Sequence, residues 1–395
     1  MKRFIKRQFQ QIRKGGISEF LRKIKLLLRK ISKILIFNLT WIYRLLNLPL
    51  LKFYQFFTPT IYIEDFTAYL RTISSNEHSL AKRNKQAKKK IRIFTKVWGK
   101  YLYLYDVILM RSLFQSGNLI DLLENGYEIT LSVHILESDA LTLQKIISKF
   151  LMTLPNQHID KLNVDLVQYT SEIDIIEYSL IANIKSCISE ASSCIMASPD
   201  IFFGDFSLSN IVKINMDRDL CIAAVHFRVN QDYFLELLGL SEGLISNPSL
   251  VELSMRSAHQ TLRDSFLEKE NCSFLSGLAV QRLSGSSFAV TSRLPTVFLA
   301  NFNESDLKYF GSHEFNSWDH EWPTKLMIEG RYKCIGSSDV FFAAEPTNPK
   351  THLCTLNSAI GNDDYQAHQT LHKEVNRNFV VIVTSTLTLN KNTLP

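Results

Sequence analysis

Residues 91–98 read IRIFTKVW, a short β-branched and aromatic run that closes at Gly99. Three further runs of the same kind follow: YEITLSVHIL (127–136), NVDLVQY (163–169) and CIMAS (194–198). Between them lie stretches with helical spacing. GKYLYLYDVILMRSLFQSG stops at Gly117. ESDALTLQKIISKFLMTLP (137–155) has Asp139 as a candidate N-cap and Pro155 as its stop. SEIDIIEYSLIANIKSCISEASS (171–193) carries Ile173, Ile176, Leu180, Ile184 and Ile188. Strands alternating with long helices are βα units, and successive βα units build a mostly parallel sheet covered on both faces. The expectation is therefore an α/β fold whose mostly parallel mixed sheet is flanked by helices. Right-handed crossovers then place the C-terminal ends of the strands on one rim, where open sheets bind ligands. The segments expected there are 95–99, 135–139, 168–171 and 198–205.

Downstream the pattern is less regular. LCIAAVHFRV (220–229) reads as one strand and SLVELSMRSAHQTLRDSFLEKE (249–270) as one long helix. SGSSFAV (284–290), PTVFLANF (295–302) and Asp339–Ala344 read as strands, and 314–331 as a loop ending in a short helix. FVVIVTSTLTL (379–389) is a strand or an irregular end.

The composition is globular, with 46% hydrophobic and 21% charged residues among 395, which excludes collagen-like and fully disordered chains. Only 14 Gly and 10 Pro argue against turn-rich sandwiches and propellers. The net charge of +7 conceals a division: residues 1–92 hold 22 Lys/Arg and four acids, the remainder 23 and 34. A basic arm on an acidic body points to an anionic surface as partner. Within the arm, Phe20, Leu21, Ile24, Leu27, Leu28 and Ile31 fall at helical spacing among lysines and arginines, a basic amphipathic helix. The apolar stretch after it is broken by Arg44, Pro49 and Lys52, short of the roughly 20 residues a span requires. Residues 1–57 are expected to lie on an anionic membrane surface, with a single true span, or packing against the body or a protein partner, as the rival readings. Nucleic acid is not an expected partner, since an apolar face serves no purpose in tracking phosphates. A solvated basic linker (58–90), a catalytic domain (91–346) and a C-terminal tail (347–395) complete the organisation. The six cysteines show no CxxC pair or zinc-ligand spacing and read as free thiols.

The turn after the first strand has one glycine, and the chain contains no GxxxxGK[ST] and no GxSxG. P-loop and serine-hydrolase chemistry are therefore set aside. The acidic turn SPDIFFGD (198–205) is more informative. Asp200 follows Pro199 at the end of a buried strand and reads either as a turn cap or as a carboxylate holding a divalent cation, manganese or magnesium, against phosphates. Asp205 could assist. WDHEWP (318–323) sets Asp319 and Glu321 between Trp318 and Trp322. That composition suits a sugar platform with a general base, or two core tryptophans with solvated charges. Arg228, Arg282 and Arg293 are candidate pyrophosphate ligands by their forked donors, or surface residues. His259 reads as a packed helical residue or a catalyst, and Asp339 and Glu345 flank a strand in structural or functional roles.

KVWGKYLYLYDVILMRSLFQSGNL (96–119), SPDIFFGDFSLSNIV (198–212), HFRV (226–229), the helix carrying His259 and WDHEWP together resemble bacterial glycosyltransferases with a GT-A-like nucleotide-sugar-binding core. The resemblance covers roughly residues 91–346. It implies a glycosyltransferase of surface-polysaccharide assembly, peripheral at the cytoplasmic face of the inner membrane, with a nucleotide-sugar donor and a glycan or lipid-linked acceptor. It places Thr95, Trp98, Gly99, Gly117 and Asn118 around the nucleotide and maps Ser198, Pro199 and Asp200 onto the family's acidic turn at the end of the fourth strand. The GT-A metal motif is Asp-x-Asp, and this chain carries a lone Asp200 in its place. A non-catalytic glycan- or nucleotide-binding protein is the alternative.

Overall fold

The computed structural model describes residues 90–215, 220–241, 243–266, 278–283, 286–292, 295–312, 321–350 and 379–384. The arm at 1–57, nearly all of the linker and most of the tail lie outside them.

Four parallel strands form the heart of the molecule: β1 (Lys90–Val97), β2 (Glu128–Leu136), β3 (Leu162–Tyr169) and β4 (Ser193–Met196). β1 pairs with β2 from Lys90↔Glu128 to Val97↔Ile135, and on its other edge with β4 at Phe94↔Met196. β6 (Cys221–Ala224), β10 (Thr296–Ala300) and β11 (Tyr332–Cys334) extend the sheet in the order β11-β6-β10-β4-β1-β2-β3. Only β10 runs against the rest. The α/β architecture with a mostly parallel mixed sheet is as the βα alternation requires.

β1, β2 and β4 are buried along most of their length, whereas the edge strand β3 is largely half-buried or exposed. Along β1, Ile91, Ile93 and Val97 enter one apolar cluster with the helical stretch over 101–113 (α1) and with α3 (Ala140–Leu151). Phe94 faces the opposite cluster with Leu180 and Ile184 of α4 (Glu172–Glu190). Between them α2 occupies 116–124. Ser171 caps α4 by accepting the Asp174 N–H, the bond that orients a helix start. On the α4 face, buried Arg92 bonds Glu190 at 2.6 Å, Ser132 Oγ at 3.0 Å and Asp165; paired charges are what make a guanidinium tolerable there.

The second half departs from the expected elements for tertiary reasons. The run 220–229 is two strands. β6 stays in the main sheet, and after Val225 the chain leaves it as β7 (His226–Asn230) to pair with β12 (Ala343–Thr347). β5 (Phe202–Phe203) takes β12's other edge. The long helix expected over 249–270 stops at the end of α7 (Asn247–Arg256). The backbone beyond it is captured by the edge of β7, through the Val229–Ala258 bridge, Asn230 N–H to Ser257 O at 2.6 Å and His259 N–H to Arg228 O at 3.1 Å. His259 then caps one short turn, its Nδ1 accepting the Thr261 N–H. α5 (Ser207–Ile214) and α6 (Gln231–Leu240) pack beside these strands. A third sheet joins β8 (Leu278–Arg282), β9 (Ser287–Ser292) and β13 (Phe379–Thr384), so part of the tail is built into the body. α8 (Glu304–Ser312) and α9 (Glu321–Ile328) close the α4 side. Cys187, Cys194 and Cys221 are buried free thiols.

Candidate functional site

The strand order reverses at β1, with β2 on one side and β4 on the other. Chain leaving β1 and chain leaving β4 therefore diverge, and the crevice between them is where open α/β sheets accept ligands. The β1 turn holds Trp98, Gly99 and Tyr101. Gly99 adopts φ +55°, a left-handed conformation natural to glycine. Its N–H donates to Asp139 Oδ2 at 2.8 Å, tying the β1 turn to the end of β2. Asp139 begins α3 as expected, but its carboxylate serves the β1 turn rather than its own helix. Half-buried Trp98 meets Tyr101 edge-on at 6.1 Å.

From the β4 side come Ser198, Pro199 and Asp200. The Ser198 hydroxyl donates to the Asp200 carboxylate. Burial and then the charge of Glu345 raise the Asp200 carboxyl to about 6, against the opposing pull of Ser198 and Arg228. Tyr101 is raised by burial and by the charges of Asp200 and Glu345, so the β1 and β4 turns share one electrostatic neighbourhood.

The β7–β12 pair supplies the rest. Glu345 lies opposite Arg228 in the register, its Oε2 2.7 Å from His226 Nε2 and 3.3 Å from Arg228 Nε. Burial pushes this carboxyl up, but the bond and charge of His226 with Arg228 outweigh it and hold it at about 2. Glu345 is thus a fixed anion between His226 and Arg228, and Asp200 is a carboxylate with raised proton affinity. Among the described residues the Arg228 guanidinium is engaged through Nε alone, leaving its Nη groups for an anion. His226 was not anticipated. Its signal was the i, i+2 spacing of His226 and Arg228, which sets both on one strand face.

The other expected residues separate. Thr95 is buried within β1, at 2% exposure, beneath the turn. Asn118 does not reach the rim: fully buried, its Nδ2 donates to Ser112 O and Gly204 O and its Oδ1 accepts the Leu208 N–H. It is a staple between α2 and the 204–208 turn. Asp205 turns the same way, accepting the Gly117 N–H at 2.7 Å, so it is no partner for Asp200. Trp322 is no sugar platform. It is fully buried, stacked on Phe302, with its Nε1 donating to Asp306 at 2.9 Å. Asp306 is bound by Arg331, which also holds Asn301 O, while Asn301 accepts the Ser193 hydroxyl. Those residues stand where β4 and β11 begin, the edge opposite Asp200. Glu321 adjoins Trp322 at the head of α9, in the stretch of chain that lies at that edge. Trp318 and Asp319 lie outside the described residues. A cavity of about 580 Å³ opens on the Asp200 rim over the ends of β2 and β3, lined by residues 136–138 and 169–172.

No protein-family model matches the chain. No curated protein matches it. Among solved structures, the inositol-1-phosphate CTP transferase from T. maritima is similar over 74% of this chain and 98% of its own, at 9% identity and a TM-score of 0.30. A likeness that slight carries no inference about activity, and the reading of the site stands on its own geometry.

Proposed function

We propose that the chain is a transferase using a nucleotide-activated sugar. The acceptor oxygen attacks the anomeric carbon, the bond from that carbon to the donor phosphate breaks, and the nucleoside diphosphate leaves. One observation supports this above the rest: Asp200, Tyr101 and the Arg228–Glu345–His226 group converge on one rim, where the strand order reverses. Arg228 meets phosphate charge with the Nη donors that Glu345 does not use.

Asp200 has one of two roles. Among the described residues no three acidic, His or Cys side chains form a metal site by themselves. Magnesium at phosphate sites, however, is commonly held by one or two carboxylates together with substrate oxygens, and a lone Asp200 fits that pattern. Manganese or magnesium bound there would offset charge on the leaving diphosphate. Without a cation, the raised proton affinity of Asp200 suits it to take the acceptor's proton. One carboxylate cannot do both at once, and the metal dependence decides between them.

The acceptor proposed is a glycan or lipid-linked hydroxyl. Residues 1–57 would hold the chain peripherally on anionic lipid at the cytoplasmic face. No helix among the described residues is long and apolar enough to cross a membrane. Flotation with anionic vesicles, lost at high salt or on deletion of 1–57, tests the attachment.

The decisive experiment is a thermal-shift screen of the full chain against UDP-, GDP-, CMP- and dTDP-sugars, with manganese, magnesium or EDTA. A donor-dependent rise that Asp200→Ala abolishes supports the proposal, and silence toward every donor at millimolar concentration refutes it. The rival reading, a non-catalytic binding protein, predicts the same rise without release of sugar.

A further inference from the structure

The cavity over the ends of β2 and β3 has a chemistry of its own. β3 and β4 are three strand positions apart, about 14 Å at the usual strand spacing. That is the reach of an extended nucleoside diphosphate, so a donor with phosphates near Asp200 would set its base over this cavity. The Gly99–Asp139 bond ties the β1 turn to the chain that leaves β2 beside the cavity.

Tyr169 is the one aromatic ring among the described residues that line the cavity. Its hydroxyl lies 2.9 Å from Nδ1 of His134, and the two rings stack with centroids 5.7 Å apart at 27°. His134 is 1% exposed, and burial drives it down to about 4. It is therefore neutral at physiological pH and fixes the tyrosine ring from the buried side. A ring so held is a ready stacking surface for a base.

The charged groups lining the cavity are both acceptors, beside a Ser138 hydroxyl that can donate or accept. Glu137 comes from the end of β2 and Glu172 from the chain after β3, both exposed, and among the described residues no basic side chain lines the space. The Ser171 and Thr170 hydroxyls already donate to Asp174, at 2.6 and 3.4 Å. Carboxylates only accept hydrogen bonds, so the matching ligand edge must bring donors. Guanine, cytosine and adenine carry exocyclic amines, whereas the pairing edge of uracil or thymine has two carbonyls about a single N–H.

Resting on the function proposed above, we propose that this cavity takes the base of the donor nucleotide, stacked on Tyr169, and that Glu137 and Glu172 select a base bearing an exocyclic amine over uracil or thymine.

The test is calorimetric titration of the full chain with GDP, CDP, ADP, UDP and dTDP, with magnesium, at pH 7.5. GDP, CDP or ADP should bind about tenfold or more tightly than UDP and dTDP, the effect of hydrogen bonds to a charged partner. Tyr169→Ala should weaken the preferred nucleotide roughly tenfold or more, while Tyr169→Phe, which keeps the ring, should stay within about threefold. Glu137→Gln with Glu172→Gln should bring UDP close to the preferred nucleotide, since an amide can donate to a carbonyl. Both glutamates are exposed, so this variant should fold, and circular dichroism checks it. Asp200→Ala should weaken every diphosphate and leave the base ranking intact. Binding without base preference, or unmoved by Tyr169→Ala, overturns this inference and leaves the proposed function standing. No binding by any nucleotide overturns both.

Discussion

Asp200→Asn should make the protein more stable. The carboxyl is raised from 3.8 to about 6 by burial and by the charge of Glu345. The folded protein thus binds this proton more tightly than the unfolded chain. The stability attached to it is full below pH 3.8 and is lost as pH rises through about 6. Two units correspond to about 3 kcal/mol; solvent reaches this half-buried group, so about 1–3 kcal/mol is the expected penalty at pH 8. Asparagine removes the charge, keeps the shape and still accepts from Ser198. Urea titrations followed by far-ultraviolet circular dichroism should give the variant a higher midpoint at pH 8, and the difference should close toward pH 4. Equal midpoints at pH 8, or a gain of the same size at both pH values, would refute the assignment of Asp200 as a destabilised carboxylate. A site that carries such a penalty is the usual exchange of stability for activity, so the same variant should lose the donor-dependent thermal shift.

Gly117→Ala should lower stability by about 2–3 kcal/mol. An added Cβ would come within 2.5 Å of the Phe206 ring and 2.7 Å of Asp205 Oδ1; an unchanged melting temperature would contradict the close packing of that turn. Trp322→Phe deprives buried Asp306 of one donor and should lower stability by about 1–2 kcal/mol with nucleotide affinity unaltered. Lost nucleotide binding at preserved stability would return Trp322 to the site. Arg228→Ala should weaken nucleoside diphosphates about tenfold or more, with Arg228→Lys intermediate because lysine lacks the forked donor; equal affinities would exclude Arg228 from the phosphate site. If a cation sits on Asp200, the manganese-dependent part of donor binding should fall as pH drops through about 6, and calorimetry that shows it level from pH 8 to 5 would separate the metal from this carboxylate.

Much of the first half of the fold was legible because its signals are local. β1 to β4 are short runs rich in β-forming residues divided by long helical patterns, and such runs show wherever they stand in a chain. The Asp200 turn was legible for the same reason, as a proline and an acid directly after a buried strand. The second half depends on contacts distant in sequence. Nothing within 249–270 marks the halt after Arg256; the exposed edge of β7 does, by taking the backbone of Ser257–His259. Nothing in the run 220–229 marks the change of sheet at Val225; β12, over a hundred residues on, draws β7 away.

The candidate site divides along the same line. Residue type and setting set Trp322 beside Asp200 as groups able to meet sugar and phosphate, and the resemblance to glycosyltransferases added Asn118; an indole or an amide reads the same buried or exposed. Tertiary structure separated them: Asp306 and Arg331 hold Trp322 at the starting edge of the sheet, and three backbone groups consume Asn118. It also brought His226, Arg228 and Glu345 beside Asp200. The physical reason is range: periodicity and turn chemistry act over a few residues and are written in the chain, while desolvation and ion pairing depend on which distant groups the completed fold makes neighbours.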